Sequence, residues 1–178
     1  EAIDIGKIEE GELSLVTESI EIHTIIDRAV ALVRPLADHR GIMMSVDVSG
    51  SVIADRQRLE RVVVNLLSNA IKYNRDKGTI KVRTSATPGC CRLEVIDTGL
   101  GLAATDVETL FLRFHRVNAS EHTEIEGSGL GLALCKHLVE AVDGHIGMAG
   151  IRGSGRPFWI ELPATVGGGG VAAAQPGR

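Results

Sequence analysis

Asn65-Leu66-Leu67-Ser68-Asn69-Ala70-Ile71-Lys72-Tyr73 decides how this chain reads. At about 100° per residue along a helix, Asn65, Asn69 and Lys72 fall within roughly 60° of one another. Leu59, Val62, Val63, Leu66, Leu67, Ala70 and Ile71 cover most of the remaining circumference. The polar face of an ordinary amphipathic helix is merely solvated, and it is wide. Here it is a narrow stripe rich in carboxamides. A carboxamide oxygen coordinates Mg²⁺ without adding negative charge beside a triphosphate, and a lysine one turn on neutralises phosphate oxygens. The stripe therefore points to a metal-nucleotide site along one side of a buried helix.

Two glycine-bearing segments downstream extend that reading. Asp97-Thr98-Gly99-Leu100-Gly101 ends an alternating strand; its glycines let backbone approach a flat ligand closely, and the carboxylate can accept from an adenine amino group. A plain turn after a strand is the bland alternative, and Gly99 to Ala104 also fits the G-x-G-x-x-A dinucleotide fingerprint, which requires the glycines to open the helix that binds pyrophosphate. Thr105-x-x-Glu108 instead caps a helix that starts after the motif has ended, and the preceding hairpin is no parallel crossover, so that reading fails. Gly127-Ser128-Gly129-Leu130-Gly131-Leu132 leads into an apolar-periodic helix whose N-terminus can receive phosphate oxygens. A flexible linker would not run into Leu132, Ala133, Leu134, Leu138, Val139 and Val142 at helical spacing. No G-x-x-x-x-G-K-[ST] occurs, which excludes a Walker loop.

Around these segments the pattern predicts a connector with a short alternation at Leu13, Leu15 and Thr17, preceded by the frayed end of a helix from Ile3 to Glu12. A helix follows from Ile22 to Arg40, with Ile22, Ile25, Ile26, Ala29, Val30, Val33 and Leu36 inward, Pro35 placed to bend its last turns, and Gly41 as its C-terminal cap. Ile42 to Val48 alternates as a strand, Ser49-Gly50 turns, and Asp55 N-caps the striped helix, which runs to about Asn74. Thr79 to Thr87 and Cys91 to Ile96 read as a hairpin around Pro88-Gly89. A short helix to about Phe114, a polar lid at 117–128, a helix from Gly129 to Val142 closed by Gly144, a strand near 145–151, a Gly153-Ser154-Gly155 turn and a strand at Phe158 to Leu162 complete the order. The stretch from Gly167 to Arg178 is of low complexity and is expected to be disordered.

Composition bounds the partners. The 178 residues are 44% hydrophobic and 24% charged, as in a soluble domain, but only 3% aromatic, so aliphatic side chains must build the core. A formal charge of -4 supplies no general attraction to nucleic acid or an anionic membrane, and a phosphate site must be local. Cys90, Cys91 and Cys135 lack metal-ligand spacing and read as reduced thiols of a cytoplasmic protein; zinc is not expected. No apolar run approaches the roughly 18 residues of a membrane span, so no direct membrane contact is expected.

From about Glu10 to Pro163 the chain resembles the catalytic, ATP-binding domain of sensor histidine kinases, within the superfamily of DNA gyrase, heat-shock chaperone, histidine kinase and mismatch-repair ATPases. The resemblance implies the Bergerat fold, a two-layer α/β sandwich with a mixed sheet and helices on one face. It implies ATP and Mg²⁺ as ligands. Residues 65–73 match the N box, which assigns Asn69, assisted by Asn65, to Mg²⁺, Lys72 to phosphates and Tyr73 to the wall of the nucleotide site. Asp97, Gly99 and Gly101 match the adenine-reading G1 box; Phe111 to Arg116 the F box; Gly127, Gly129, Leu130, Gly131 and Leu132 the G2 box; Gly153 to Gly155 the G3 turn. Asn65, Lys72 and Arg116 form the expected catalytic set, Arg116 supplying the cation at the γ-phosphoryl group, with Arg113 the runner-up and two solvated helix-end arginines the plain alternative. Residues 1–18 would end a dimerisation and phosphoacceptor helix with its linker, 19–165 would form the catalytic domain, and 166–178 a disordered tail.

Implied partners are an upstream histidine-phosphotransfer domain, indirectly a response-regulator receiver domain, and a second copy of a homodimeric parent, either membrane-anchored or soluble. ATPase members carry a water-activating glutamate where this chain has Asn65, which cannot act as a carboxylate base, so hydrolysis is expected to be slow. None of His23, His39, His115, His122, His137 and His145 precedes an acidic residue, so the phosphoacceptor is expected upstream or in trans. Leu112 stands where the F box usually has an acid, and Arg156-Pro157 replace the small hydroxyl residues after the G3 turn. A nucleotide-binding scaffold without phosphotransfer and an ATP-hydrolysing clamp are the competing functions.

Overall fold

Apolar residues at helical spacing build the first layer. The computed structural model describes residues 14–99, 130–148 and 156–164. Helix α1 (Ile22–His39) buries Ile22, Ile25, Ile26, Ala29, Val30, Val33 and Ala37. Its first N-H donates to Gly50 O at 3.0 Å, which satisfies a group that a helix start otherwise leaves unpaired. The helix continues through Pro35, and Gly41 follows its end at φ +64, a conformation open to glycine. Leu36, expected inward, is 48% exposed, and Ala37 one position on takes the buried place. Helix α2 (Arg56–Lys72) buries Leu59, Val62, Val63, Leu66, Leu67, Ala70 and Ile71, the full apolar arc expected of it. Asp55 is its N-cap: Oδ1 accepts from Arg58 N at 3.1 Å, while Oδ2 accepts from Val16 N at 3.0 Å. Helix α3 (Leu130–Glu140) packs on α2, its Cys135 thiol reaching Val62 O at 3.9 Å.

The second layer is a five-stranded sheet. Strands β2 (Met43–Asp47), β4 (Thr79–Thr87), β5 (Cys90–Asp97), β6 (His145–Met148) and β7 (Arg156–Pro163) are ordered β2-β4-β5-β7-β6. β2 runs parallel to β4 and every other pairing is antiparallel, so the sheet is mixed as expected. The β4-β5 hairpin turns at Gly89, whose φ of +74 suits a residue without Cβ. Two strands went unread in the sequence: β1 (Thr17–Glu21) and β3 (Ser51–Asp55) pair antiparallel as a separate ribbon, Thr17 opposite Asp55 and Glu21 opposite Ser51. β7 also begins at Arg156, two residues earlier than expected.

Strand alternation separates two faces of the sheet. Ile80, Val82, Leu93, Val95, Met148, Phe158, Ile160 and Leu162 are buried beneath the helices and share one core with them. Arg83, Arg92, Glu94, Trp159 and Glu161 occupy the other face, where Arg92 Nη1 meets Glu161 Oε1 at 3.2 Å and its guanidinium lies 4.3 Å from the Trp159 ring centroid. Cys90, Cys91 and Cys135 are free thiols, and burial, then the neighbouring Cys90, pushes the Cys91 thiol up. Among the described residues no helix is long and apolar enough to cross a membrane. The expected helix end at 3–12, the short helix to Phe114, the lid at 117–128, the Gly153–Gly155 turn and the low-complexity tail lie outside the described residues.

Candidate functional site

Period two along β5 brings the acid to its place. Leu93, Val95 and Asp97 all face the helix layer, so Asp97 is carried under the C-terminal end of α2 with 0% exposure. Its Oδ1 accepts from Gly99 N at 2.7 Å, which turns the chain sharply after the strand. A Cβ on Gly99 would lie 2.5 Å from Tyr73 O and 2.7 Å from Asp97 Oδ1, distances that real Cβ atoms do not show. Glycine is required there because two backbone segments touch: the end of the striped helix and the exit of β5.

Asn65, Asn69, Lys72 and Tyr73 are each half-buried along the same side of α2. Asn65 lines a groove of about 430 Å³ together with Arg28, Arg56, Gln57, Glu60, Arg61 and Val64. Its Nδ2 is buried and has no hydrogen-bond partner among the described residues. A buried amide without a partner costs about 1–3 kcal/mol, which makes this N-H a candidate to meet an acceptor oxygen. The two carboxamides one turn apart offer oxygens that suit a hydrated Mg²⁺, the unpartnered Asn65 N-H and Lys72 offer donors that suit phosphate oxygens, and the glycine-only contact beside Asp97 fits the approach of a flat ring.

Sequence reasoning missed the residues that join the two ends. Asn74, only 5% exposed, donates from Nδ2 to Thr79 O at 3.1 Å and accepts at Oδ1 from Thr98 Oγ1 at 3.0 Å and Arg75 N at 2.9 Å. Thr98 Oγ1 in turn accepts from Thr79 N at 2.9 Å. Arg40, at the end of α1, donates to the carbonyls of Ile71, Lys72 and Asn74 and to Asp76 Oδ1. Nothing local marks either residue: Asn74 is tied to Thr98, 24 residues on, and Arg40 to carbonyls more than 30 residues away.

The structure brings Tyr73, at the end of α2, against Gly99 beside Asp97, while Asn65, Asn69 and Lys72 precede it along the same helix. Leu130, Gly131 and Leu132 form the first residues of α3, as a helix-opening glycine segment requires. Gly101, Arg113, Arg116, Gly127 and Gly129 lie outside the described residues.

Residues 54–166 match the family described as histidine kinase-, DNA gyrase B-, and HSP90-like ATPase. The sensor histidine kinase GacS of Pseudomonas protegens is 33% identical over 171 residues, which cover 91% of this chain and 18% of GacS. The chain spans about a fifth of the length of the curated relatives it matches. Among solved structures, a mycobacterial sensor histidine kinase, MprB, superposes with a TM-score of 0.73 at 31% identity, over 84% of this chain and 98% of that one. Full-length ShkA in complex with AMPPNP superposes with a TM-score of 0.80 at 29% identity, over 93% of this chain and 35% of ShkA. With the striped helix, the buried aspartate at the strand exit and these matches in hand, the chain belongs to the histidine kinase-, DNA gyrase B-, and HSP90-like ATPase family, as an ATP-binding catalytic domain of the sensor histidine kinase type.

Proposed function

We propose that this chain binds Mg-ATP between α2 and the β5 exit and presents the γ-phosphoryl group to a histidine on an upstream helical domain, from which a response-regulator receiver domain takes it. The observation that carries this reading is the junction of the carboxamide stripe, with its orphaned Asn65 amide, and the buried Asp97 beside Gly99. Asp97 accepts from the adenine amino group; Tyr73 borders the nucleotide; Lys72 neutralises phosphate oxygens. Asn69, assisted by Asn65, holds Mg²⁺, which when bound offsets the charge that develops on the transferred group. Arg116 is assigned the second cation. Gly101 and the 127–132 segment are assigned to adenine and phosphate.

Asn65 separates transfer from hydrolysis. A carboxamide cannot take a proton from water, so the bound triphosphate persists for in-line attack by an imidazole nitrogen. That favours a kinase over an ATP-hydrolysing clamp. We assign residues 19–165 to the catalytic unit, 1–18 to the end of a dimerising helical domain and 166–178 to a tail, with the catalytic unit on the cytoplasmic side of a homodimeric parent.

Titration calorimetry of the chain with AMPPNP, with and without Mg²⁺, tests the reading. Binding strengthened by Mg²⁺ and abolished in Asp97→Asn is expected. Unchanged affinity in Asp97→Asn would remove the adenine assignment, and a chain that binds but fails to phosphorylate a supplied upstream domain would favour the scaffold function.

A further inference from the structure

The nucleotide site is assembled from two segments that are not adjacent in sequence, the end of α2 and the exit of β5, so something must hold their spacing. Resting on the proposed nucleotide reading, we infer that Arg40 and Asn74 are positioning residues that fix this spacing, Arg40 by clamping the C-terminus of α2 and Asn74 by tying that clamp to Thr98.

Helix C-termini end in carbonyls without intrahelical donors, and they carry partial negative charge. In α2 the guanidinium of Arg40 supplies those donors: Nη1 reaches both Ile71 O and Lys72 O, the latter at 3.1 Å, and Nη2 reaches Asn74 O. The same residue's carbonyl accepts from Lys77 N at 2.9 Å, so residues 71–77 are gripped at both ends by one side chain and one peptide of the α1 terminus. Only a forked, planar cation with several donors spans three carbonyls in this way. The Arg40 side chain is 27% exposed, and its bonds at the helix end go to backbone carbonyls.

From the gripped turn the connection passes through Asn74. Its carboxamide is shared between Thr79 O, Arg75 N and Thr98 Oγ1, all four groups lying within hydrogen-bond distance, so it bridges the helix end to the first residue of β4 and to the residue between Asp97 and Gly99. Gly78 completes the junction: a Cβ there would lie 2.4 Å from Asn74 Oδ1 and 2.6 Å from Thr98 Oγ1. Lys72 and Tyr73 therefore sit on one side of a hydrogen-bonded block, and Asp97 and Gly99 on the other. A ligand whose two ends engage both segments gains from a preset spacing, because the cost of aligning them is met in folding instead of binding.

The test is calorimetry of AMPPNP with Mg²⁺ on four forms of the full chain: wild type, Arg40→Met, Arg40→Lys and Asp55→Ala, each with its melting temperature. Asp55→Ala removes the cap at the opposite end of α2 and so loses stability without touching the clamp. Arg40→Met should bind about tenfold more weakly, the size expected for losing charge-assisted bonds that order a site, and Arg40→Lys should recover part of the affinity by keeping a cation at the helix end. Asp55→Ala should melt lower yet bind as the wild type does. Affinity that falls in proportion to melting temperature across all three variants would overturn the inference, as would wild-type affinity in Arg40→Met. A wild-type chain without affinity would overturn the nucleotide reading itself and this inference with it.

Discussion

The proposed function gives Asn65 a task that the described part of the fold does not account for. Its buried amide nitrogen has no partner among the described residues, none of which draws stability from its polarity. Asn65→Ala should therefore leave the melting temperature unchanged or raise it slightly, while the Mg²⁺-dependent part of AMPPNP binding drops, because removing an unsatisfied buried group relieves about 1–3 kcal/mol that offsets lost packing. Paired calorimetric scans and titrations check this; a variant that loses stability and keeps its Mg²⁺ dependence would show the residue to be structural. Cys91 works in the opposite sense. Burial raises its thiol, so the stability linked to it is complete below the ordinary thiol range and is lost as pH climbs through the raised value.

At the scale of elements, α2 is held chiefly by its apolar arc. Leu66 is 0% exposed between the stripe and the core, and Leu66→Ala should cost about 2–5 kcal/mol, read as a shift of the urea midpoint with unchanged slope. The same arc explains why α2 could be read from sequence: seven apolar residues at one period, a capping aspartate before them and a polar stripe of fixed width leave no second solution. The ribbon of β1 and β3 could not be read. Each strand has five residues, β1 buries only Ile20, and Thr17 finds its partner Asp55 across the whole of α1, so no local period announces the pairing. Asp97 and Gly99 were legible because an acid and a glycine at a strand exit are unusual in themselves. Arg40 and Asn74 were not, because their roles exist only once α1, α2 and β5 have met. Leu36 differs from its helical spacing for a simple reason: the adjacent Ala37 serves the buried face and leaves the larger residue outside.

Across the whole molecule, the sheet keeps its helix-covered face for the core and the proposed nucleotide junction, and its other face for a charged lattice around Trp159. Gly147 is part of that lattice, since a Cβ there would lie 2.4 Å from Trp159 Cζ2. Gly147→Val should displace the indole from its stack with Arg92, cost about 1–3 kcal/mol as overpacking does, and shift tryptophan emission, while AMPPNP affinity holds. Loss of affinity would mean that the two faces are coupled through the sheet. The chain contains one tryptophan and one tyrosine, and they stand on opposite sides of this division: Trp159 on the charged face, Tyr73 at the end of the striped helix. On the proposed reading the indole stands apart from the ligand, so tryptophan emission of an unlabelled sample should record melting and change little when AMPPNP binds.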